Sequence, residues 1–236
     1  MFSLDAILRD TVSLIAPVEC VGCGLPDTSL CGECASSLRG KAIDVQLTVS
    51  RELFGRPVRA CAPYSGRSRS VVLGFKDHGH LRIAPFLAQG LVSLLDPLMV
   101  SHPDAVIVPI PSSPRGRLRR GIEPTALLAK HVNRFRPQWT ILGVLRPRYT
   151  PSSVFSPAAK GLSRRERLLR PRQLRLTHNL GQRPVLLLDD VVTTGSTLEA
   201  CARVVREIGG EVVAAVVLAA TPRVGPSPTG KSVNRG

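Results

Sequence analysis

The segment from Val185 to Leu198 constrains this chain more than any other. It reads Val-Leu-Leu-Leu-Asp-Asp-Val-Val-Thr-Thr-Gly-Ser-Thr-Leu. A short apolar run of this kind predicts a buried strand over 184–188. The strand runs out into two adjacent carboxylates, Asp189 and Asp190, and then into small polar residues that open a helix over 196–208. Ligands of open parallel sheets bind beyond the carboxyl ends of the strands. The turn at 193–197 offers backbone N–H groups at a helix N-terminus, where anions are favoured. Hydroxyls of Thr194, Ser196 and Thr197 add donors, and Gly195 lets the backbone approach a ligand closely. Ionised Asp is acceptor-only, which suits ribose hydroxyls or a hydrated Mg²⁺. A helix cap needs one such residue, whereas seven of the nine positions from Asp189 to Thr197 are polar or Gly. The loop asks for a phosphate and a diol together, as in a ribose 5-phosphate.

The rest of the chain alternates strands and helices. Residues 105–110 read as a buried strand, 123–132 as a helix, 140–145 as a second strand and 211–219 as a third. Residues 61–98 read as mostly helical, with an extended piece at 59–63 and a turn at 76–80. This order predicts an α/β protein with a parallel sheet and right-handed crossovers. Residues 149–175 are polar and Arg-rich and read as a long loop with a short helix at 163–170. The tail from Thr221 is rich in Pro, Gly and Ser and reads as disordered.

Cys20, Cys23, Cys31 and Cys34 form two CxxC turns separated by seven residues. Two such turns converging on one tetrahedral ion close a structural zinc site. The redox alternative needs one CxxC at a strand-to-helix junction, which two facing pairs fit poorly. Four thiolates leave no open position, so the metal would fold a module rather than catalyse. Cys61 and Cys201 read as buried hydrophobes.

With 236 residues the chain has room for one main domain and an appendage. The organisation expected is a helix and zinc module over 1–50, an α/β domain over 51–220 and a tail over 221–236. The net charge is +15, and 27 of the 32 basic residues are Arg. The window 115–175 alone holds 14 Arg and two Lys against Glu123 and Glu166, a balance of +14. Arg at this density suits phosphate recognition, and equally a solvated face or weak attraction for nucleic acid. No segment reads as apolar enough to span a bilayer. Residues 1–16 carry Asp5 and Asp10 where a signal peptide is basic and then apolar, so they read as an amphipathic helix of a cytoplasmic protein. Residues 225–232 match the Walker A pattern, but Pro226 and Pro228 stiffen them and no helix follows, so no ATPase is expected.

The stretch from Asp189 to Thr197 resembles the phosphoribosyl pyrophosphate (PRPP) motif of type I phosphoribosyltransferases. More narrowly, the chain from Cys20 to Leu218 resembles the ComF family. The residues that carry this are the four cysteines, Tyr64-Ser-Gly, Phe75-Lys76-Asp-His-Gly79, Val108-Pro-Ile-Pro111, Arg120-Gly121 and Gly161-Leu-Ser-Arg-Arg-Glu-Arg167. The resemblance implies a type I phosphoribosyltransferase-like parallel sheet flanked by helices, with a small N-terminal zinc module. It implies that Asp189 and Asp190 hold the ribose hydroxyls and act in catalysis. The loop of Thr193, Thr194, Gly195, Ser196 and Thr197 would take the 5′-phosphate. Ser112, Ser113 and Arg115 would face the pyrophosphate, Lys76 would be a further phosphate ligand, and the loop 149–175 would close over PRPP.

The chain departs from the family at Glu123-Pro124, where an Asn-Gln pair is usual, and at Lys160 and Leu169, which stand for Gln and Asn. Thr193 stands where purine-salvage relatives place an acidic base. The resemblance therefore bears on PRPP and leaves the acceptor open. It implies Mg²⁺-dependent transfer of phosphoribosyl to an unknown nucleophile with release of pyrophosphate, linked to competence and DNA uptake. The alternatives are a non-catalytic PRPP or nucleotide sensor, and an adaptor for single-stranded DNA that partners a competence helicase. For the adaptor, Tyr149 and Phe155 are the only aromatics of the Arg-rich loop, too few for base stacking.

Overall fold

The computed structural model describes residues 18–39, 42–45, 47, 53, 55–112, 114–147, 174–178 and 180–222. The helix expected over 1–16, the helix over 163–170, the expected closing loop 149–175 up to residue 173 and the tail beyond Pro222 with its Walker-like sequence lie outside the described residues; the last two residues of that expected loop, Leu174 and Arg175, are strand instead. In chain order the strands are β1 (Ile43–Asp44), β2 (Val58–Pro63), β3 (Val106–Pro109), β4 (Thr140–Ile141), β5 (Leu145–Pro147), β6 (Leu174–Leu176), β7 (Pro184–Val192) and β8 (Glu211–Ala220). The α-helices are α1 (Gly32–Ser36), α2 (Gly66–Asp77), α3 (Ala84–Ser101), α4 (Pro114–Arg120), α5 (Pro124–Phe135) and α6 (Ser196–Glu207).

The main sheet has six strands in the order β1-β2-β8-β7-β3-β4. All neighbours are parallel except β1, which runs antiparallel to β2. β5 and β6 form a separate antiparallel pair. The architecture is the mixed α/β fold with a parallel sheet flanked by helices that the strand and helix order predicts.

β3, β7 and β8 are apolar along nearly their whole length because helices cover both of their faces. On one face Leu186, Leu188, Val216 and Leu218 pack with Phe75 of α2, Leu91 of α3 and Leu128 of α5. On the other, Val185, Leu187, Ala215 and Val217 pack with Leu198, Cys201 and Val205 of α6 and Leu145 of β5. Cys61 and Cys201 are buried among these residues, as expected.

Three expectations need correction. Residues 140–145 do not form one strand: the ladder with β3 stops at Ile141, and the chain resumes as β5 against β6. α4 lies where the sequence reading assigns no helix, because six of its seven residues are Pro, Gly or Arg and no apolar period marks it. The 21 residues Leu81–Ser101 are, by length and composition, long and apolar enough to cross a membrane, although the sequence reads as holding no such segment. Leu87, Leu91 and Leu95 of that segment are fully buried in the first core, as the side chains of a core helix are.

Candidate phosphate and ribose site

β3 leads through α4 and α5 to β4 on one side, while β7 leads through α6 to β8 on the other. The two connections leave in opposite directions, so a crevice opens between the carboxyl ends of β3 and β7. The last registered pair is Pro109 with Leu188, and the Ile110 N–H donates to the Leu188 carbonyl at 2.8 Å. Asp189 and Asp190 follow at once, inside the end of β7 rather than beyond it.

The loop after β7 turns sharply into α6. Gly195 has φ +87°, a left-handed conformation natural to glycine, and a Cβ there would lie 2.8 Å from Leu47 Cδ2. The loop encloses an open pocket of about 210 Å³ lined by Asp189, Val191, Val192, Thr193, Gly195, Ser196, Thr197 and Leu198. Thr194 is not in its wall; its hydroxyl donates to Ser196 Oγ at 3.2 Å. The Asp189 carboxylate accepts the Asp190 N–H at 2.8 Å.

Asp190 departs from its neighbour. It is buried, at 5% exposure, and its Oδ1 accepts both the Val191 N–H and Lys76 Nζ, each at 2.7 Å. Lys76, at the end of α2, is therefore engaged by a carboxylate rather than free for a phosphate. The next residue, Asp77, accepts from Arg120 Nη1 at 3.2 Å, and Arg120 Nη2 donates to Ser112 Oγ at 3.1 Å. The Ser112 N–H donates to Glu123 Oε2 at 2.9 Å. Residues 76 and 77 thus clasp both sides of the crevice, β7 through Asp190 and the turn after β3 through Arg120. Arg120 and Glu123, which the sequence reading names as a point of resemblance and a point of departure, were not among the site residues it expected. A signal for Glu123 was available: it is one of only two acids in the Arg-rich window. Ser113 lies outside the described residues, and so does the side chain of Arg115.

The four cysteine Sγ atoms lie within 4.8 Å of one another, and Cys23 Sγ is 3.6 Å from Cys31 Sγ. Tetrahedral zinc, with Zn–S near 2.3 Å, sets sulfurs about 3.8 Å apart, so the cluster is compatible with structural zinc. Burial pushes the Cys20 thiol up, but backbone hydrogen bonds at Cys31, Gly22 and Cys23 and a contact with the Cys23 side chain outweigh it and bring it down to about 6. Burial, followed by its contacts with the other three thiols, pushes Cys34 strongly upward. One thiolate and one suppressed thiolate so close together would be reconciled by a cation in their midst. Gly22 makes the approach possible: a Cβ there would sit 2.6 Å from Cys34 Sγ and 2.8 Å from Val71 Cγ2. Cys20, Cys34 and Leu38 share a core with Phe75 and Leu91, so the cluster is seated on α2 and α3.

A crevice at a topological switch point, with a hydroxyl-rich loop at a helix N-terminus on one side, is the place where open α/β sheets bind their ligands. The family described as phosphoribosyl transferase domain matches residues 126–231. That match runs from α5 through Asp189, Asp190 and the loop at 193–197, and it supports a phosphoribosyltransferase-like fold. β3, Ser112, Lys76 and the cysteines fall outside it. No curated protein matches the chain.

Proposed function

We propose that the chain binds PRPP in the crevice between β3 and β7 and transfers its phosphoribosyl group to an acceptor. The observation that carries this reading is the pocket of the 193–197 loop, with Asp189 in its wall, inside the stretch that matches the phosphoribosyl transferase family. The α6 N-terminus and the hydroxyls of Thr193, Ser196 and Thr197 would hold the 5′-phosphate. Asp189 would accept from the ribose hydroxyls. Asp190 takes a different part from its neighbour: it fixes Lys76 at the mouth of the crevice. Ser112, with Arg120 behind it, would meet the pyrophosphate on the β3 side, joined by Ser113 and Arg115.

In such a transfer the C1–O bond to pyrophosphate breaks, positive charge builds on the ribose, and the acceptor forms the new bond at C1. The chain's part is to bind and orient both ends of PRPP and to place cations near the leaving group. Asp189 and the loop hydroxyls are hard oxygen donors that fit Mg²⁺. When bound with PRPP, Mg²⁺ would neutralise charge on the departing pyrophosphate. Zinc at the four cysteines would be structural, forming an N-terminal module docked on the sheet domain; together with the Arg120-Gly121 step it supports the finer resemblance to the ComF family. Six free thiols among the described residues suit a reducing, cytoplasmic setting.

Calorimetric titration of the zinc-loaded protein with PRPP, with and without Mg²⁺, tests the reading. Saturable Mg²⁺-dependent binding that Asp189→Asn abolishes is expected, and absence of binding refutes it. Pyrophosphate release with an acceptor then separates an enzyme from a sensor.

A further inference from the structure

α2 meets the cysteine cluster along its length and the ligand crevice at its end. Residues 67, 71 and 74 of the helix are spaced i, i+4 and i+7, which puts them on one face. The cysteine turns sit on that face. Arg67 Nη2 pairs with Glu33 Oε2 at 2.9 Å. Gly22 lies so near Val71 that a Cβ would fall 2.8 Å from Val71 Cγ2. A Cβ on Gly74 would collide with Val21 Cγ2, so the Val21 side chain fills a notch that glycine leaves open. Val21 stands between Cys20 and Gly22, and its N–H donates to the Ser29 carbonyl at 3.1 Å, two residues before Cys31. The seat of Val21 is thus set by the closing of the two cysteine turns on each other.

Just past the notch, Lys76 holds Asp190 of β7 and Asp77 holds Arg120. The Arg120 side chain is 10% exposed, and its Nε is buried with no hydrogen-bond partner among the described residues. Its Nη1 and Nη2 reach Asp77 and Ser112, so Asp77 fixes the guanidinium from the α2 side. A rigid element with two arrangements can carry coupling between two sites. We propose that α2 couples the metal state of the four cysteines to the ligand crevice. Seated, Val21 lies in the Gly74 notch and residues 76 and 77 hold both rims. Unseated, with the cysteine turns open, the Asp77–Arg120 contact is lost and the Ser112 turn loosens. Asp77 is then a positioning residue that acts through Arg120. The inference rests on the readings of the crevice as a PRPP site and of the cysteines as a zinc site. By linkage, zinc and PRPP each raise the other's affinity by the same factor.

Amide hydrogen exchange on the full chain, zinc-loaded and after zinc is withdrawn by a chelator, tests this without any crevice ligand. Exchange at Ser112 and Val191 is expected to quicken at least about tenfold, while the amides of Val213–Val216 in β8 hold steady. Gly74→Ala with zinc bound should quicken the same two amides, although alanine by itself favours the helix. Val21→Ala/Gly74→Ala, in which one methyl takes the place of the other, should return them to within about twofold of wild type. Asp77→Asn, which leaves the notch intact, should quicken Ser112 and spare Val191. Unchanged exchange at both amides, an equal rise in β8, or a double variant no better than Gly74→Ala overturns the proposal. Chelator competition then measures zinc affinity with and without PRPP and Mg²⁺, and a tightening of about tenfold is expected. Loosening as expected with no PRPP binding keeps the coupling and refutes the PRPP reading. PRPP binding of equal strength with and without zinc keeps that reading and refutes the coupling.

Discussion

Removing the Lys76 ammonium should leave a buried carboxylate without its countercharge. The Asp190 side chain is 6% exposed and holds Lys76 Nζ at 2.7 Å; Lys76 itself is 27% exposed. In Lys76→Met the aliphatic stem is retained, and among the described residues the Asp190 carboxylate keeps the Val191 N–H as its donor. Breaking a fully buried ion pair from one side costs about 3–5 kcal/mol. Water reaches the Lys76 side of this pair, so the cost should fall to about 2 kcal/mol. With a urea slope of about 2 kcal/mol/M, the unfolding midpoint should drop by about 1 M. Asp190→Asn should cost less, about 1 kcal/mol, because the ammonium it frees can turn toward solvent. The double variant Lys76→Met/Asp190→Asn should be more stable than Lys76→Met alone, since no charge is then stranded. The cycle should return a coupling of about 1–2 kcal/mol. Urea unfolding of the four zinc-loaded proteins measures it, with the slope checked for constancy. Strict additivity, or a Lys76→Met midpoint within about 0.2 M of wild type, would refute the pairing and return Lys76 to the list of free phosphate ligands.

Gly22→Ala puts a methyl into Cys34 Sγ and Val71, both fully buried, so it should loosen the cysteine cluster and lower zinc content. Zinc stoichiometry and the thiolate-to-metal absorption of the cobalt form check this, with Gly32→Ala, which meets nothing within 4 Å, as the matched control. Gly195→Ala combines a left-handed backbone with a clash against Leu47 and should cost about 1–3 kcal/mol and abolish PRPP binding, read by urea unfolding and calorimetry. Burial, then the nearby charges of Arg134 and Lys130, lowers the His131 imidazole below its ordinary 6.5. The unfolded chain therefore binds the extra proton first, so this contribution to stability is present above pH 6.5 and is lost as pH falls through the folded value. His131→Gln should flatten the decline in urea midpoint between pH 7.5 and 5.5, and an unchanged decline refutes that account.

The sheet was legible where burial on both faces leaves an unbroken apolar run, as in Val106–Pro109 and over 184–188 of β7; the strand's continuation through Asp189 and Asp190 to Val192 was not. It was less legible where a strand is short. Leu174–Leu176 has three residues, one of them an exposed Arg, and nothing local distinguishes it from the Arg-rich loop before it. α4 escaped for a related reason: its one large apolar side chain, Leu118, is 87% exposed and marks no buried face. The cysteine cluster was legible because its ligands lie within fifteen residues, a span that two turns can close. The clasp of Lys76 and Asp77 was not, since each partner stands more than forty positions away and only the packing of α2 on the sheet brings them together.

The two aspartates show what period can add to a motif. Read as a pair, Asp189 and Asp190 look like equivalent ligands for one diol. Both stand within β7, however, and successive side chains of a strand point to opposite faces. Two neighbours on such a strand cannot readily address the same ligand. Asp189 lines the pocket on the α6 side, and Asp190 turns to the side packed by α2, where Lys76 meets it. The adjacency that suggests a shared task in the sequence becomes, in the fold, a division between a carboxylate that lines the loop pocket and a carboxylate that fixes a cation. Asp189→Asn and Asp190→Asn should accordingly separate: the first should remove PRPP binding with little change in stability, while the second should lower stability and spare part of the affinity. Calorimetry and urea unfolding on the same two samples decide it. Equal loss of PRPP affinity in both, at unchanged stability, would mean that the two carboxylates serve the ligand together after all.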